Sequence, residues 1–230
     1  NLKGINNFIN LLNNKHKKTK ILFTSSGAVY GPRKIKRNMA ESEKIKFSNI
    51  AKFTGYKKEY AKTKIIMERQ FKNLAKKGFK ISIVRLFSFI GKRILLNKNF
   101  AITNLIYQAK QKKKLSIKLN DSRDVFRSYM NSDDLIRWLL KIMVKSNKKC
   151  DVYNVGSDEA ITIESLAKII AKKFNKKVYK ITSKNIQINK EKKLDYYVPS
   201  ILKAQRQLNL KLKYNIYFSL RKLLKGKIYF

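Results

Sequence analysis

Residues 21–31 read ILFTSSGAVYG, and this stretch decides how the rest of the chain is interpreted. The apolar run at 21–23 is short, which is typical of a buried strand rather than of a helix. Small hydroxyl residues follow it, at the point where a strand of an open sheet would reach a cleft. The stretch therefore predicts a buried strand that ends in a site at Ser26.

A second stretch, YAKTK at residues 60–64, carries groups that could work with Ser26. Tyr60 and Lys64 are four residues apart in a helical pattern, so they share one helix face. A free phenol has a pKa of about 10 and is a poor base at neutral pH, but a nearby ammonium favours the phenolate. The Ser26 hydroxyl could then hold the substrate oxygen that loses its proton. The spacing alone is a weak signal, and the order of the two stretches strengthens it.

Composition limits the class of protein. The chain has 230 residues, 43% of them hydrophobic, which is enough for a globular protein of one or two domains. No apolar run approaches the ~18–20 residues that a membrane span needs. The single cysteine, Cys150, excludes an intramolecular disulfide and fits a reducing cytoplasm. One histidine and no paired cysteines argue against a zinc site, so no metal is expected.

The formal net charge of +41 raises the question of a nucleic-acid partner. Lysines are scattered along almost every segment, and runs such as residues 111–114 have no interleaved aromatic side chains. We therefore interpret the charge as solvated surface and expect no specific nucleic-acid site. An anionic substrate would still be attracted by this field.

The order of elements predicts an α/β protein. A strand at 20–25, a helix around Tyr60 that ends at Gly78 and a buried strand at 81–87 form the pattern of a parallel sheet with a crossover helix. After Gly91 the predicted elements are shorter. They are helices at 99–109 and 135–143, a helix that is entered at 161–165 and ends at Phe174, a helix that residues 197–200 cap and that runs through Leu208, a helix at 215–224, and strands at 115–119, 151–156 (with its turn) and 178–181.

These motifs resemble the extended short-chain dehydrogenases/reductases, in particular the nucleotide-sugar epimerase/dehydratase group. The resemblance implies that Ser26, Tyr60 and Lys64 are catalytic, and that Tyr60 and Lys64 also contact NAD or NADP. Residues 85–91 match the strand before the substrate domain, with Ser88 where the family usually has asparagine. Ser88 and Arg127 are the implied substrate-binding residues, Arg127 gripping the diphosphate of a nucleotide sugar.

The residues around Arg127 allow a second interpretation of its guanidinium. A structural salt bridge to Asp124 or Asp133 would account for it equally well.

The resemblance also implies the domain organisation. We expect the C-terminal part of a Rossmann-type parallel sheet plus a smaller α/β substrate-binding domain. Residues 1–91 would form the C-terminal half of the dinucleotide-binding domain, and residues 92–230 mainly the substrate domain, with 132–156 returning to the Rossmann sheet. None of the eight glycines forms a G-x-G-x-x-G or G-x-x-G-x-x-G turn. We therefore expect the Gly-rich first half of the cofactor domain to be missing.

The implied function is that of a cytoplasmic, NAD(P)-dependent nucleotide-sugar epimerase or 4-ketoreductase, for which a homodimer is one expected state. The family's 4,6-dehydratases carry an Asp-Glu pair directly after the catalytic Ser/Thr, whereas this chain has Gly27 and Ala28. That difference argues against dehydration. A dehydratase-like protein, an inactive fragment and a basic binding protein without catalysis stay open as alternatives.

Overall fold

The computed structural model describes residues 2–91, 100–111, 116–120, 124–181 and 194–225. Its helices are α1 (Leu2–Leu11), α2 (Phe47–Ile50), α3 (Gly55–Lys76), α4 (Ala101–Lys110), α5 (Ser132–Val144), α6 (Ile163–Lys173), α7 (Leu202–Leu208) and α8 (Ile216–Lys225), with short 3₁₀ helices at Asn14–Lys18 and Gly27–Tyr30. Its strands are β1 (Lys20–Ser26), β2 (Lys80–Leu86), β3 (Phe89–Ile90), β4 (Ser116–Asn120), β5 (Val125–Arg127), β6 (Met130–Asn131), β7 (Asp151–Val155), β8 (Ile161–Thr162), β9 (Lys177–Ile181) and β10 (Asp195–Tyr197).

The central sheet has the strand order β1-β2-β7, and all three strands are parallel. Ser26 lies opposite Leu86, which in turn lies opposite Val155. Because the strands are parallel, their carboxyl ends meet at one edge, where ligands bind in open α/β sheets. The prediction of an α/β fold with a parallel sheet is confirmed.

Helices cover both faces of this sheet with separate apolar clusters. One cluster joins α1 and α3 to the sheet, and within it the rings of Phe23 and Phe71 stack with centroids 4.4 Å apart. The other joins α5 and α7 to the sheet around Trp138, which is fully buried. Trp138 is therefore a core residue.

Helix α3 crosses over between β1 and β2 and carries Tyr60 and Lys64. Its buried positions recur at helical spacing from Ala61 to Ala75, so this face packs on the sheet. The helix ends before Gly78, whose φ of +97° is left-handed and suits a glycine that terminates a helix. Gly78 thus ends this helix as the sequence predicted.

Most of the remaining elements form a second packed region. In one small sheet β5 pairs in parallel with β10 and antiparallel with β8, and in another β4 pairs with β9. Helices α4, α6 and α8 share an apolar cluster that includes Ile106, Ile170 and Leu220. Strand β7 lies in the central sheet beside β2, within the segment 132–156. The division of the chain into domains stays a prediction.

Element boundaries differ from the predicted ones by a few residues. Helix α5 begins at Ser132 rather than at Leu135, because the Asn131 side chain accepts a hydrogen bond from the Asp133 amide and caps the helix there. Residues 99 and 115, with which two predicted elements began, lie outside the described residues. Across the described part of the chain, no helix is both long and apolar enough to cross a membrane.

Candidate active site

Ser26 lies at the carboxyl end of β1 and is also the residue that caps the 3₁₀ helix Gly27–Tyr30. Its Oγ accepts a hydrogen bond from the Ala28 amide at 3.2 Å. Only 8% of the residue is exposed. The hydroxyl is therefore held in a tight turn at the sheet edge where a ligand would bind.

Tyr60 and Lys64 lie on successive turns of α3 and are both partly buried. Lys64 Nζ donates a 2.8 Å hydrogen bond to the carbonyl of Thr24, two residues before Ser26. The same nitrogen lies 5.8 Å from the centroid of the Tyr60 ring. The structure thus brings the Tyr60–Lys64 pair to the end of the strand that carries Ser26.

The environment of Lys64 changes how readily it loses its proton. Burial lowers the pKa of the Lys64 ammonium, and the charge of the Glu68 carboxylate one turn later opposes that shift. Lys64 therefore gives up its charge more readily than a solvated lysine would.

Tyr197 is a site residue that the sequence analysis missed. Its phenolic oxygen would lie 2.6 Å from a Cβ at Gly27, and its ring centroid is 4.7 Å from that of Phe87. Burial raises the pKa of the Tyr197 phenol, and Ser26, Tyr60 and Arg127 are among the groups that influence it. Tyr197 therefore lies among the residues that the sequence singled out, and stays a neutral phenol.

Arg127 ends β5 and lies beside Tyr197 in the pairing of β5 with β10. Its guanidinium carbon is 5.8 Å from the centroid of the Tyr197 ring. Nη2 donates to a carboxylate oxygen of Asp195 at 2.6 Å, and Nη1 donates to the carbonyl of Phe126 at 2.7 Å. Arg127 therefore lies beside Tyr197 with its guanidinium held by Asp195.

The two salt bridges suggested for Arg127 from the sequence are wrong, since its partner is Asp195. Asp133 pairs with Lys222 instead, at 2.8 Å. Asp124 contributes its backbone carbonyl, which accepts from the Asp195 amide. Strand pairing between β5 and β10 brings Asp195 to Arg127 across 68 residues of sequence, a distance that local spacing does not reveal.

Ser88 lies between β2 and β3 and is partly buried. Its carbonyl accepts a 3.0 Å hydrogen bond from the Met130 amide, and the preceding residue, Phe87, packs on Tyr197. Ser88 is therefore at the carboxyl edge of the central sheet, next to the packed rings of Phe87 and Tyr197.

Among the described residues, neither the cysteine nor a cluster of metal-ligating side chains forms a further site. Burial raises the pKa of the Cys150 thiol to about 11, so a thiolate is disfavoured at neutral pH. Within the described ranges, no three His, Cys, Asp or Glu side chains are grouped so as to hold a metal ion.

The residues around Ser26 fit the ribose and nicotinamide end of a dinucleotide better than they fit its pyrophosphate. Tyr60 and Lys64 present a phenol and an ammonium at the sheet edge, which suits the ribose and nicotinamide end. The glycines near Ser26 are packed against protein, since a Cβ would lie 2.6 Å from Phe87 at Gly27 and 2.9 Å from the Asn49 carbonyl at Gly31. They do not form an open cradle for a pyrophosphate.

Solved structures with the same fold include several sugar-modifying enzymes. A dTDP-glucose 4,6-dehydratase from Bacillus anthracis, in complex with NAD, is 16% identical with a TM-score of 0.73, over 96% of this chain and 65% of that one. A UDP-glucose 4-epimerase from Thermotoga maritima, with UDP-glucose, is 18% identical with a TM-score of 0.69, over 90% and 63% of the two chains. RMD from Pseudomonas aeruginosa, complexed with NADPH, is 19% identical with a TM-score of 0.68, over 88% and 64%.

This chain therefore spans less than two thirds of the length of each of these three structures. A comparison with curated proteins finds no match. The family model of the NAD dependent epimerase/dehydratase family matches residues 1–156, which include β1, α3 and β2 with Ser26, Tyr60 and Lys64. With more than half of its residues matched by that model, and with a parallel sheet of the same fold, the chain belongs to the NAD dependent epimerase/dehydratase family.

Proposed function

We propose that this chain carries the proton-transfer and substrate-binding groups of an NAD(P)-dependent nucleotide-sugar 4-epimerase or 4-ketoreductase. The observation that carries the proposal is the hydrogen bond from Lys64 to the Thr24 carbonyl, which holds the Tyr60 helix at the Ser26 end of β1. Family membership and the sugar-nucleotide enzymes among the similar structures support the substrate class.

In this mechanism Tyr60 takes the proton of the sugar's C4 hydroxyl in its phenolate form, and returns it when the oxygen is reprotonated. Ser26 donates a hydrogen bond to that oxygen and holds it during the transfer. Lys64, whose Nζ lies 5.8 Å from the centroid of the Tyr60 ring, places a positive charge beside the group that transfers the proton. NAD or NADP, when bound, supplies the hydride chemistry at C4, and Tyr60 and Lys64 are the residues that would hold its ribose.

The surroundings of Gly27 favour this chemistry over a 4,6-dehydration. The family's dehydratases place an acidic pair directly after the catalytic Ser/Thr, as the resemblance implies. Here the space that a side chain at residue 27 would occupy is filled by Phe87 and by the Tyr197 phenol. No carboxylate can enter that position without displacing one of these rings, so an acid at C5 or C6 is not provided from residue 27.

Nucleotide-sugar binding tests the substrate class without requiring turnover. Calorimetric titration of UDP-glucose and dTDP-glucose into the chain should show that Arg127→Ala weakens binding at least about tenfold, because a charged hydrogen bond contributes about 1.5–3 kcal/mol. Arg206→Ala, which removes an exposed arginine on α7, is the matched control and should change affinity less than about twofold. Equal losses in both variants would show that only the positive field attracts the ligand, as in a basic binding protein.

A further inference from the structure

Glu68 is a buried carboxylate on the face of α3 that packs on the sheet. It is 4% exposed, among neighbours on the same face such as Ile65 and Phe71. Oε1 accepts from Ser25 Oγ at 2.6 Å and from Arg85 Nε at 3.0 Å, and Oε2 accepts from Arg85 Nη2 at 2.8 Å. Both oxygens are therefore used, and the pair with Arg85 is bidentate.

Arg85 extends this buried pair toward the turn after Ser26. It is 3% exposed, and its Nη1 donates to the Tyr30 hydroxyl at 2.9 Å. Tyr30 in turn donates to Asn154 Oδ1 at 2.8 Å. Burial alone would lower the pKa of Arg85, but hydrogen bonds and charge from Glu68 raise it, so the guanidinium stays charged. Burial raises the pKa of Tyr30 to about 12, so its phenol stays neutral and donates.

These bonds hold Ser26 from both sides. Ser25 precedes it on β1, and Tyr30 ends the 3₁₀ helix that Ser26 caps. Glu68 follows Lys64 by one helical turn and Tyr60 by two. One ion pair therefore joins the two segments whose relative position sets the distance from Ser26 to Tyr60 and Lys64.

Stability alone does not explain why charges occupy this position. Removing two charges from water costs several kcal/mol per ion, and replacing a buried ion pair by apolar residues of similar size is often neutral or stabilising. Hydrogen bonds have preferred distances and angles, so they fix the relative position of the groups they join. Contacts between two apolar side chains do not fix that position in the same way. The geometry around Ser26 is therefore the property that Glu68 and Arg85 determine.

We propose that Glu68 and Arg85 are positioning residues that set the register of the Tyr60–Lys64 turn of α3 against the Ser26 turn of β1. The proposal rests on the proposed function, since the register matters for catalysis only if these residues transfer a proton. It adds to that function two residues that touch neither substrate nor cofactor.

Hydrogen exchange of the chain tests the positioning directly. In the double variant Glu68→Met/Arg85→Met, amides in residues 25–30 and 60–64 should exchange at least about tenfold faster, relative to amides of α6, because the bonds that close these segments are gone. The matched control is Asp134→Asn, which alters a fully buried carboxylate that pairs with Arg137 at 2.5 Å on α5. It should not speed exchange selectively in the two segments. A double variant with unchanged relative exchange would overturn the proposal.

Two further variants keep the test decisive. Glu68→Gln keeps the size of the side chain but replaces one accepting oxygen by an amide donor that faces Arg85, so it should also speed exchange in both segments, and normal protection in this variant would contradict the proposal. Ser25→Ala removes a single hydrogen bond, and should raise exchange about threefold or more at residues 25–30 with the ion pair intact. If the double variant does not fold, Ser25→Ala decides the question, and normal protection there would contradict the proposal.

Kinetics separates positioning from mere packing. In the chain joined to a Gly-rich strand–helix unit that binds the cofactor's pyrophosphate, the double variant should lower kcat about 100-fold, as a misplaced reacting group does, with KM changed less than about threefold. An unchanged kcat would refute a positioning role. If the chain turns over no nucleotide sugar even with that unit joined, the proposed function fails, while the exchange experiment still shows whether the pair sets the register.

Discussion

At the scale of single residues, Tyr60 has a natural comparison on its own helix. Tyr56 lies one turn earlier, with its ring stacked on that of Tyr60 at a centroid distance of 6.0 Å, and it is 78% exposed. The two phenols differ in that only Tyr60 lies beside the Lys64 ammonium near the end of β1. A role in proton transfer should therefore belong to one of them alone.

In the chain joined to a Gly-rich strand–helix unit that binds the cofactor's pyrophosphate, we expect Tyr60→Phe to lower the turnover of a nucleotide-linked hexose about 10²–10⁴-fold, the usual contribution of a positioned acid or base. Tyr56→Phe removes an equivalent hydroxyl outside the site and should change turnover less than about twofold. Steady-state rates followed by NMR of the sugar C4 signal would measure both. Comparable activity in the Tyr60 and Tyr56 variants would remove Tyr60 from the mechanism.

At the scale of elements, the turn between β1 and the 3₁₀ helix depends on the absence of a side chain at Gly27. A Cβ there would lie 2.6 Å from both the Phe87 ring and the Tyr197 phenol. Gly4, inside α1, has no atom within 4 Å of its would-be Cβ. A substitution at Gly27 therefore tests packing against neighbouring side chains, whereas one at Gly4 tests only the effect of glycine on backbone entropy.

Gly27→Ala should destabilise the fold by about 1–3 kcal/mol, because the added methyl would collide with the Phe87 ring and the Tyr197 phenol. Gly4→Ala should instead stabilise it by about 0.5–1 kcal/mol, since alanine is the better helix former. Urea denaturation followed by circular dichroism measures both differences. Combining Gly27→Ala with Phe87→Leu should recover part of the lost free energy of unfolding. A Gly27→Ala variant as stable as the unmodified chain would show that Phe87 and Tyr197 are not tightly packed around residue 27.

At the scale of the whole molecule, cofactor affinity should be low although the candidate site is well formed. The chain contains no Gly-rich phosphate-binding turn, and the glycines near Ser26 are packed against protein. Hydride transfer requires a nicotinamide held within contact distance of the sugar carbon. We therefore expect negligible NAD and NADP binding by residues 1–230 in calorimetric titrations, under conditions where nucleotide sugars bind.

Joining a Gly-rich strand–helix unit, in one chain or as a second polypeptide, should restore that affinity. Two surfaces suit such an addition. β1 is an edge strand of the described central sheet, and Ile136, Leu140 and Val144 form an apolar row on α5 that is 57%, 54% and 56% exposed. Tight binding of NAD by the 230-residue chain alone would show that the cofactor is held by other residues.

Local features of this protein were determined by the sequence itself. The buried strand before Ser26, the helix of Tyr60 and Lys64, its end at Gly78 and the parallel α/β fold all follow from short-range periodicity and backbone preferences. These effects act between residues a few positions apart, so they can be read without knowing the tertiary structure.

Only the tertiary structure decided which distant groups meet at the site. The sequence could not reveal that Asp195 pairs with Arg127, or that Tyr197 fills the space at Gly27, because both depend on the pairing of β10 with β5. Glu68 gave a signal, a charge at a buried position of α3, but its partner became visible only when β2 was placed beside β1. Contacts across the sheet depend on strand order and register, which arise from the packing of the whole chain.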